Sequence, residues 1–366
     1  MSRPLSPTLS SQSNVPPGPY NPYESYLKEI QPQTPDDHLP LPYTTPTEHV
    51  KPPQSLGSEN GASLANIYWT ASAILGFKEK FSFLLCFVFG GALLGFSLAR
   101  TEMMSPSNVA HLTVPGEWYW YRQSLYKPSI FLHIYSTIIA AFFASFQFIP
   151  AIRRRKMILH RANGYLVLLV LIPGIVSGSV VARRAFGGSP STQSAFYLDG
   201  ILIVFCAIKG YVSVRETRKH RKWMLRAVTY LAAPITARII LIISREIISS
   251  VGGYYSMWTC AEVQFLQNRG QGVPIFTQTY PACANNDGTD PSLVHVAVRA
   301  SMNAYPVNFG AAVRETFGMA LWIAIVIHVL GVEIYIRATE ASNMHRRGFV
   351  LERRDDGSGE KSPDDR

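Results

Sequence analysis

Ionisable side chains interrupt the apolar stretches of this 366-residue chain, among them His133, Asp199, Lys209, Arg238, Arg245, Glu246 and His328. Placing a charge in hydrocarbon costs about 2.5–3.5 kcal/mol on insertion scales, so each is a candidate for chemistry. Counted at about 1.5 Å per residue from the helix ends, His133 and Asp199 fall about one turn below one surface, and Arg245 and Glu246 lie at that surface. Arg238 is near mid-depth, and Lys209 and His328 lie in the other half. Opposite signs at one depth predict a polar chamber in which Arg238 or Arg245 neutralises Asp199, with His133 hydrogen-bonded alongside. A structural ion pair that orients helices is the alternative use of the same residues. A buried carboxyl that keeps its proton is a general acid. Asp199 is best placed for that role, followed by Glu246, with Glu315 or Glu333 behind. His133 would assist the donor or act as the final base, while Arg238 would hold a polar headgroup or pair with the acid. Lys209 is expected to snorkel toward lipid headgroups.

The elements that position these groups are transmembrane helices. Hydrophobic residues make up 47% and charged residues 16% of the chain, against roughly 25% charge in soluble domains. A crossing needs about 20 apolar residues, and six segments qualify: Phe81 to Ala99, Ser129 to Phe148, Gly164 to Val181, Ala195 to Val214, Leu225 to Ile247 and Thr316 to Ile336. Leu64 to Phe77 is shorter and reads as an interfacial or re-entrant helix, with a seventh span as the alternative. The expected fold is an all-α integral membrane bundle over 64–340. It is flanked by a disordered Pro/Ser-rich tail (1–63) and a charged tail (341–366). No signal peptide precedes the first helix, which is expected to serve as an uncleaved anchor.

The net charge of +10 sits beside apolar runs, at Arg153 to Arg161, Arg215 to Arg226 and beyond Arg337. That pattern marks topology, not nucleic-acid binding. With six alternating helices these segments share the cytosolic side, together with both termini. The loop 248–313 then faces the lumen, where Cys260 and Cys283 are expected either to form a disulfide or to stay free. The four cysteines carry no metal-binding spacing.

His160 and His220 open the third and fifth helices, each followed by Arg, which suits a polar helix entrance against phosphate headgroups. The same pair, with His328 as a third candidate, would ligate haem b in an electron carrier. Phe131, Phe142, Phe143 and Phe146 crowd the second helix, and rings of this kind either pack against lipid or stabilise a carbocation. There is no GxGxxG, P-loop, GxSxG or HExxH. The pair Asp36-Asp37 lies in the tail, not on an aspartate-rich helix. No metal or other cofactor is expected for the acid–base reading.

The run Leu132-His133, Gln147-Phe148, His160-Arg161, Gly164-Tyr165, Ser177-Gly178, His220-Arg221-Lys222-Trp223-Met224-Leu225-Arg226 and Arg238 resembles a family of predicted four-helix membrane proteins of unknown function. That family is widespread in bacteria and fungi, and the match covers about a third of the chain. With its long polar tail and flanking helices, the chain is also similar to the membrane-bound terpene cyclases of fungal meroterpenoid pathways, the ascofuranone and macrophorin type. That resemblance implies cyclisation of a farnesyl chain begun by protonating a terminal epoxide or alkene. It also implies residence in the endoplasmic reticulum and a lipophilic isoprenoid substrate drawn from the bilayer. The alternatives are the haem protein and a transporter or scaffold; no clear internal repeat supports transport. The sequence sets no oligomeric state.

Overall fold

The structure, a computed structural model, describes residues 59–77, 80–284 and 288–344. All lie within the unit Ser58–Arg366; the unit Met1–Gly57 is outside the described residues. The expected polar tail is therefore outside them up to residue 58, as is the charged tail beyond Met344. Positions 59–63, assigned from sequence to the tail, open the first helix, α1 (Glu59–Leu75).

Six helical segments among the described residues are long and apolar enough to cross a membrane. They are α2 (Phe81–Ala99), α5 (Tyr126–Gln147), α7 (Met157–Ala182), α8 (Pro190–Val212), the paired α9 (Thr217–Leu231) and α10 (Ala233–Val251), and α12 (Pro306–Met344). Short α3 (Pro106–Leu112) and α4 (Glu117–Tyr121) lie between α2 and α5, and α6 (Pro150–Arg155) lies between α5 and α7. Helix α1 is not a seventh span by the same measure. Its end meets α6, where a Cβ on Gly76 would stand 3.3 Å from the Ala151 nitrogen.

Several helices run past the windows read from sequence. Hydropathy marks the length of hydrocarbon crossed, whereas a helix continues as long as its backbone bonds are satisfied. Thus α12 begins at Pro306 instead of Thr316. Helix α8 begins at Pro190, where Ser189 Oγ accepts from Thr192 N at 3.3 Å. The fifth span divides at Ala232, because Pro234 supplies no N–H to the Tyr230 carbonyl.

Two close approaches organise the spans. Helices α5 and α7 pack along Gly174 and Gly178, four residues apart on one face of α7, the small-residue spacing that lets membrane helices meet. Helix α10 meets α12 through Ala233, Ala237, Ala320 and Ala324, all buried.

The loop-bearing end carries its own core. Strands β1 (Tyr255–Thr259) and β2 (His295–Arg299) pair antiparallel, with Met257 opposite Ala297. Between them runs α11 (Cys260–Asn268). Trp258, Val263, Leu266 and Val298 are buried, and Cys260 is joined to Cys283 by a disulfide. This two-stranded sheet is the departure from an all-helical chain, and it lies outside the spans, where its edges are not exposed to hydrocarbon.

Candidate functional site

His133 is fixed on the α5–α7 seam. Its Nδ1 lies 2.8 Å from the Gly174 carbonyl oxygen, so Nδ1 carries the proton and donates, and Nε2 keeps its lone pair. Access to that carbonyl depends on Gly178, where an added Cβ would stand 2.5 Å from Nδ1. Arg238, on α10, reaches into the same region and lies within electrostatic range of His133. Its guanidinium carbon is 4.9 Å from the centre of the Phe96 ring, and Arg100 lies over that ring at 5.3 Å.

Asp199 stands apart from these groups. It is 4% exposed on α8, its Oδ1 has no hydrogen-bond partner, and among the described residues no ion pair includes it. It lies within electrostatic reach of Tyr230 on α9. The expected neutralisation by Arg238 or Arg245 is thus absent. Arg238 faces Phe96, and Arg245 lies over Phe309 at 5.2 Å. Counting residues gives depth along a helix but not the direction each face takes. Glu246 is exposed on α10 and Glu315 is exposed on α12, while Glu333 is bonded to Arg226 at 2.5 and 2.9 Å.

A second buried charge cluster was not anticipated. At the loop-bearing end, Arg314 Nη2 donates to Glu262 Oε1 at 2.8 Å and lies 3.5 Å from Glu117 Oε1, with all three residues under 5% exposed. Glu262 also accepts from Trp120 Nε1 at 2.6 Å and closes a capping box with Thr259 at the start of α11. Glu117 Oε2 accepts from Tyr121 Oη at 2.8 Å and from the Phe186 N–H at 2.7 Å.

Burial pushes Glu117 above the usual carboxylate range, more than Arg314 and its two donors offset. Glu262 is subject to burial as well, but Arg314, the Thr259 N–H and Trp120 together hold its carboxyl below that range. Burial and the adjacent Glu117 push the Tyr121 hydroxyl well up. The signals legible in sequence were the Thr259-x-x-Glu262 spacing and the adjacent Arg314-Glu315 pair in an apolar run. No local pattern links them to Glu117, 145 positions before Glu262. The cluster ties α4, α11 and α12 together and presents no free polar surface, so its role is architectural.

At the opposite, basic end, His160 and His220 come within electrostatic range of each other. His220 Nδ1 lies 2.8 Å from the Gly210 carbonyl oxygen, which leaves Nε2 available, and His160 Nδ1 has no partner. His328 differs: Nδ1 is 2.6 Å from the Thr229 carbonyl oxygen and Nε2 is 2.7 Å from Thr236 Oγ1, so both nitrogens are engaged. Lys209 lies 6.0 Å from the centre of the Trp223 ring. Among the described residues there is no group of three or more His, Cys, Asp or Glu suited to a metal ion.

Residues 130–262 match the model of a family described as "Predicted membrane protein (DUF2306)". The matched segment contains His133, His160, Asp199, His220, Arg238 and Glu246, whereas Arg100, Arg314 and His328 lie outside it. The chain is also similar to "Ava biosynthesis cluster protein G" of Aspergillus versicolor. The two are 24% identical over 315 residues, covering 73% of this chain and 91% of that protein. No solved structure matches the chain at a significant level. The chain is therefore a multi-pass membrane protein similar to the product of a fungal biosynthesis cluster.

Proposed function

We propose that this protein is a membrane-bound terpene cyclase. In this reading it converts a farnesylated aromatic or meroterpenoid intermediate by protonating a terminal epoxide or alkene, without a metal. The observation that carries the reading is Asp199, a buried carboxyl in a transmembrane helix with an unbonded oxygen and no ion pair among the described residues. A carboxyl in that setting is best accommodated neutral, with a proton to give. Similarity to a biosynthesis-cluster protein supports a place in secondary metabolism.

The chemistry balances as an isomerisation. Asp199 gives its proton to the epoxide oxygen as the C–O bond opens, or to the terminal alkene carbon. The internal double bonds then attack in turn, forming ring C–C bonds and moving the cation along the chain. His133, with Nδ1 held as donor, presents Nε2 as the base that removes the final proton. Bulk solvent returns a proton to Asp199, and the product has the mass of the substrate. An isoprenoid chain already in the bilayer reaches such a site without being transferred through water. The basic end and both termini are assigned to the cytosol, the disulfide-bearing end to the lumen of the endoplasmic reticulum. Feeding farnesylated phenols, with and without a terminal epoxide, to microsomes containing the chain tests this. A cyclised isomer of unchanged mass is expected, and its absence from correctly inserted protein rejects the reading.

A second reading, a haem b electron carrier, is favoured by the approach of His160 to His220 and by the carbonyl-anchored Nδ1 of His220. His328 is unsuited to be a ligand there, because both its nitrogens are engaged. A Soret band lost in His220→Ala would establish this reading; a colourless protein from haem-replete cells would end it.

A further inference from the structure

We propose that Arg100 and Arg238 form, across the ring of Phe96, a binding site for the phosphate or diphosphate headgroup of an amphiphile whose tail lies in the bilayer. The two guanidinium carbons are 5.3 and 4.9 Å from the same ring centre, and the charges are close enough to repel each other. Among the described residues neither arginine enters an ion pair. Each guanidinium offers five N–H donors. The described residues give Arg238 one acceptor, the Pro234 carbonyl oxygen at 3.0 Å, and give Arg100 one weak acceptor, Met103 Sδ at 3.7 Å.

Two cations with unused donors at the edge of hydrocarbon are costly unless an anion joins them. Phosphate oxygens match the planar guanidinium fork bidentately, and two forks on one ring suit a group with several such oxygens. His133 lies within electrostatic range of Arg238, and its Nε2 is able to accept one further hydrogen bond. The tail is assigned to the bilayer because Phe96 belongs to the spanning helix α2, where Phe89, seven residues earlier on roughly the same face, is 62% exposed.

Arg122 and Arg269 also share a ring, that of Phe265, but at the loop-bearing end outside the spans, whereas two other arginines packed on rings have an acid. Arg314 holds Glu262, and Arg226 holds Glu333. The site needs nothing of Asp199, so binding and turnover are separable: loss of binding leaves the proton-donor reading standing, and the reverse also holds.

The test uses the full chain in nanodiscs of neutral phosphatidylcholine, titrated with farnesyl monophosphate, with farnesol and inorganic phosphate as controls. Saturable binding of farnesyl monophosphate is expected, weakened about ten-fold or more in Arg100→Gln and in Arg238→Gln, and weakened less in Arg100→Lys, which keeps the charge but loses the planar fork. Native mass spectrometry of the purified protein distinguishes the source of the headgroup. An anionic phospholipid carried by the wild type and lost in both Gln variants identifies a lipid. Binding of farnesyl monophosphate to a lipid-free protein identifies an isoprenoid phosphate. Thermal unfolding confirms that each variant is folded, and Arg100→Gln, at the end of α2, serves alone if Arg238→Gln does not insert. Equal affinity in wild type and folded variants, or a folded wild type that holds neither anion, overturns the proposal.

Discussion

The ring of His133 occupies the space that a side chain at Gly178 would need: an added Cβ there would lie 2.5 Å from Nδ1 and 2.8 Å from Cε1. The absence of that one carbon lets the imidazole reach the Gly174 carbonyl, and the resulting bond fixes its tautomer. Gly178→Ala is expected to push His133 off the seam and lower turnover by about ten-fold or more, while the protein still inserts and elutes as a single species. Activity equal to wild type in Gly178→Ala would show that the orientation of His133 does not matter to the reaction.

The buried triad predicts unequal effects from its two carboxylates. Glu262→Gln removes the partner of a buried guanidinium and is expected to cost about 3 kcal/mol, visible as a lower unfolding temperature in detergent. Glu117→Gln keeps an acceptor for Tyr121 and Phe186 and is expected to be within about 1 kcal/mol of wild type at neutral pH.

Their pH dependences have opposite signs. Glu262, held below its unfolded value, contributes stability that is present above that value and is lost as pH falls through the lower folded one. Glu117, pushed above its unfolded value, favours the folded state fully below that value and loses this contribution as pH rises through the raised folded one. Wild type should therefore gain relative to Glu117→Gln as pH is lowered from 7 toward the ordinary carboxylate range. A difference that is flat across this range would contradict the assignment.

The Cys260–Cys283 bridge closes a segment of 23 positions around the core of the loop-bearing end. Its removal in Cys260→Ser/Cys283→Ser is expected to cost about 3 kcal/mol, with earlier proteolysis within 261–282 than within the spans. Equal protease resistance with and without the bridge would show that the loop core holds without it.

The architecture was legible because six apolar runs of bilayer length leave little choice of fold. Counting along the helices also predicts a depth for each polar side chain, although Arg238, expected near mid-depth, shares the Phe96 ring with Arg100 at the end of α2. The azimuth does not follow from counting: α8 turns Asp199 toward Tyr230, while α10 turns Arg238 toward Phe96. Arg100 escaped notice because it ends an apolar run, where a basic residue reads as a boundary, and its meaning appears only when Arg238 is found on the same ring. The Glu117–Arg314–Glu262 cluster joins three distant segments by tertiary contact alone. The separation of His328 from the other histidines likewise rests on hydrogen bonds to Thr229 and Thr236 that no spacing foretells.

The central claim concerns Asp199, and the most direct measurement is product formation by Asp199→Asn in microsomes supplied with a farnesylated phenol bearing a terminal epoxide. Asparagine preserves shape but has no acidic proton, so the account predicts that the cyclised isomer disappears, with a loss of about a hundred-fold or more, while insertion and unfolding temperature stay close to wild type. Wild-type amounts of the isomer from the folded Asp199→Asn protein would contradict it.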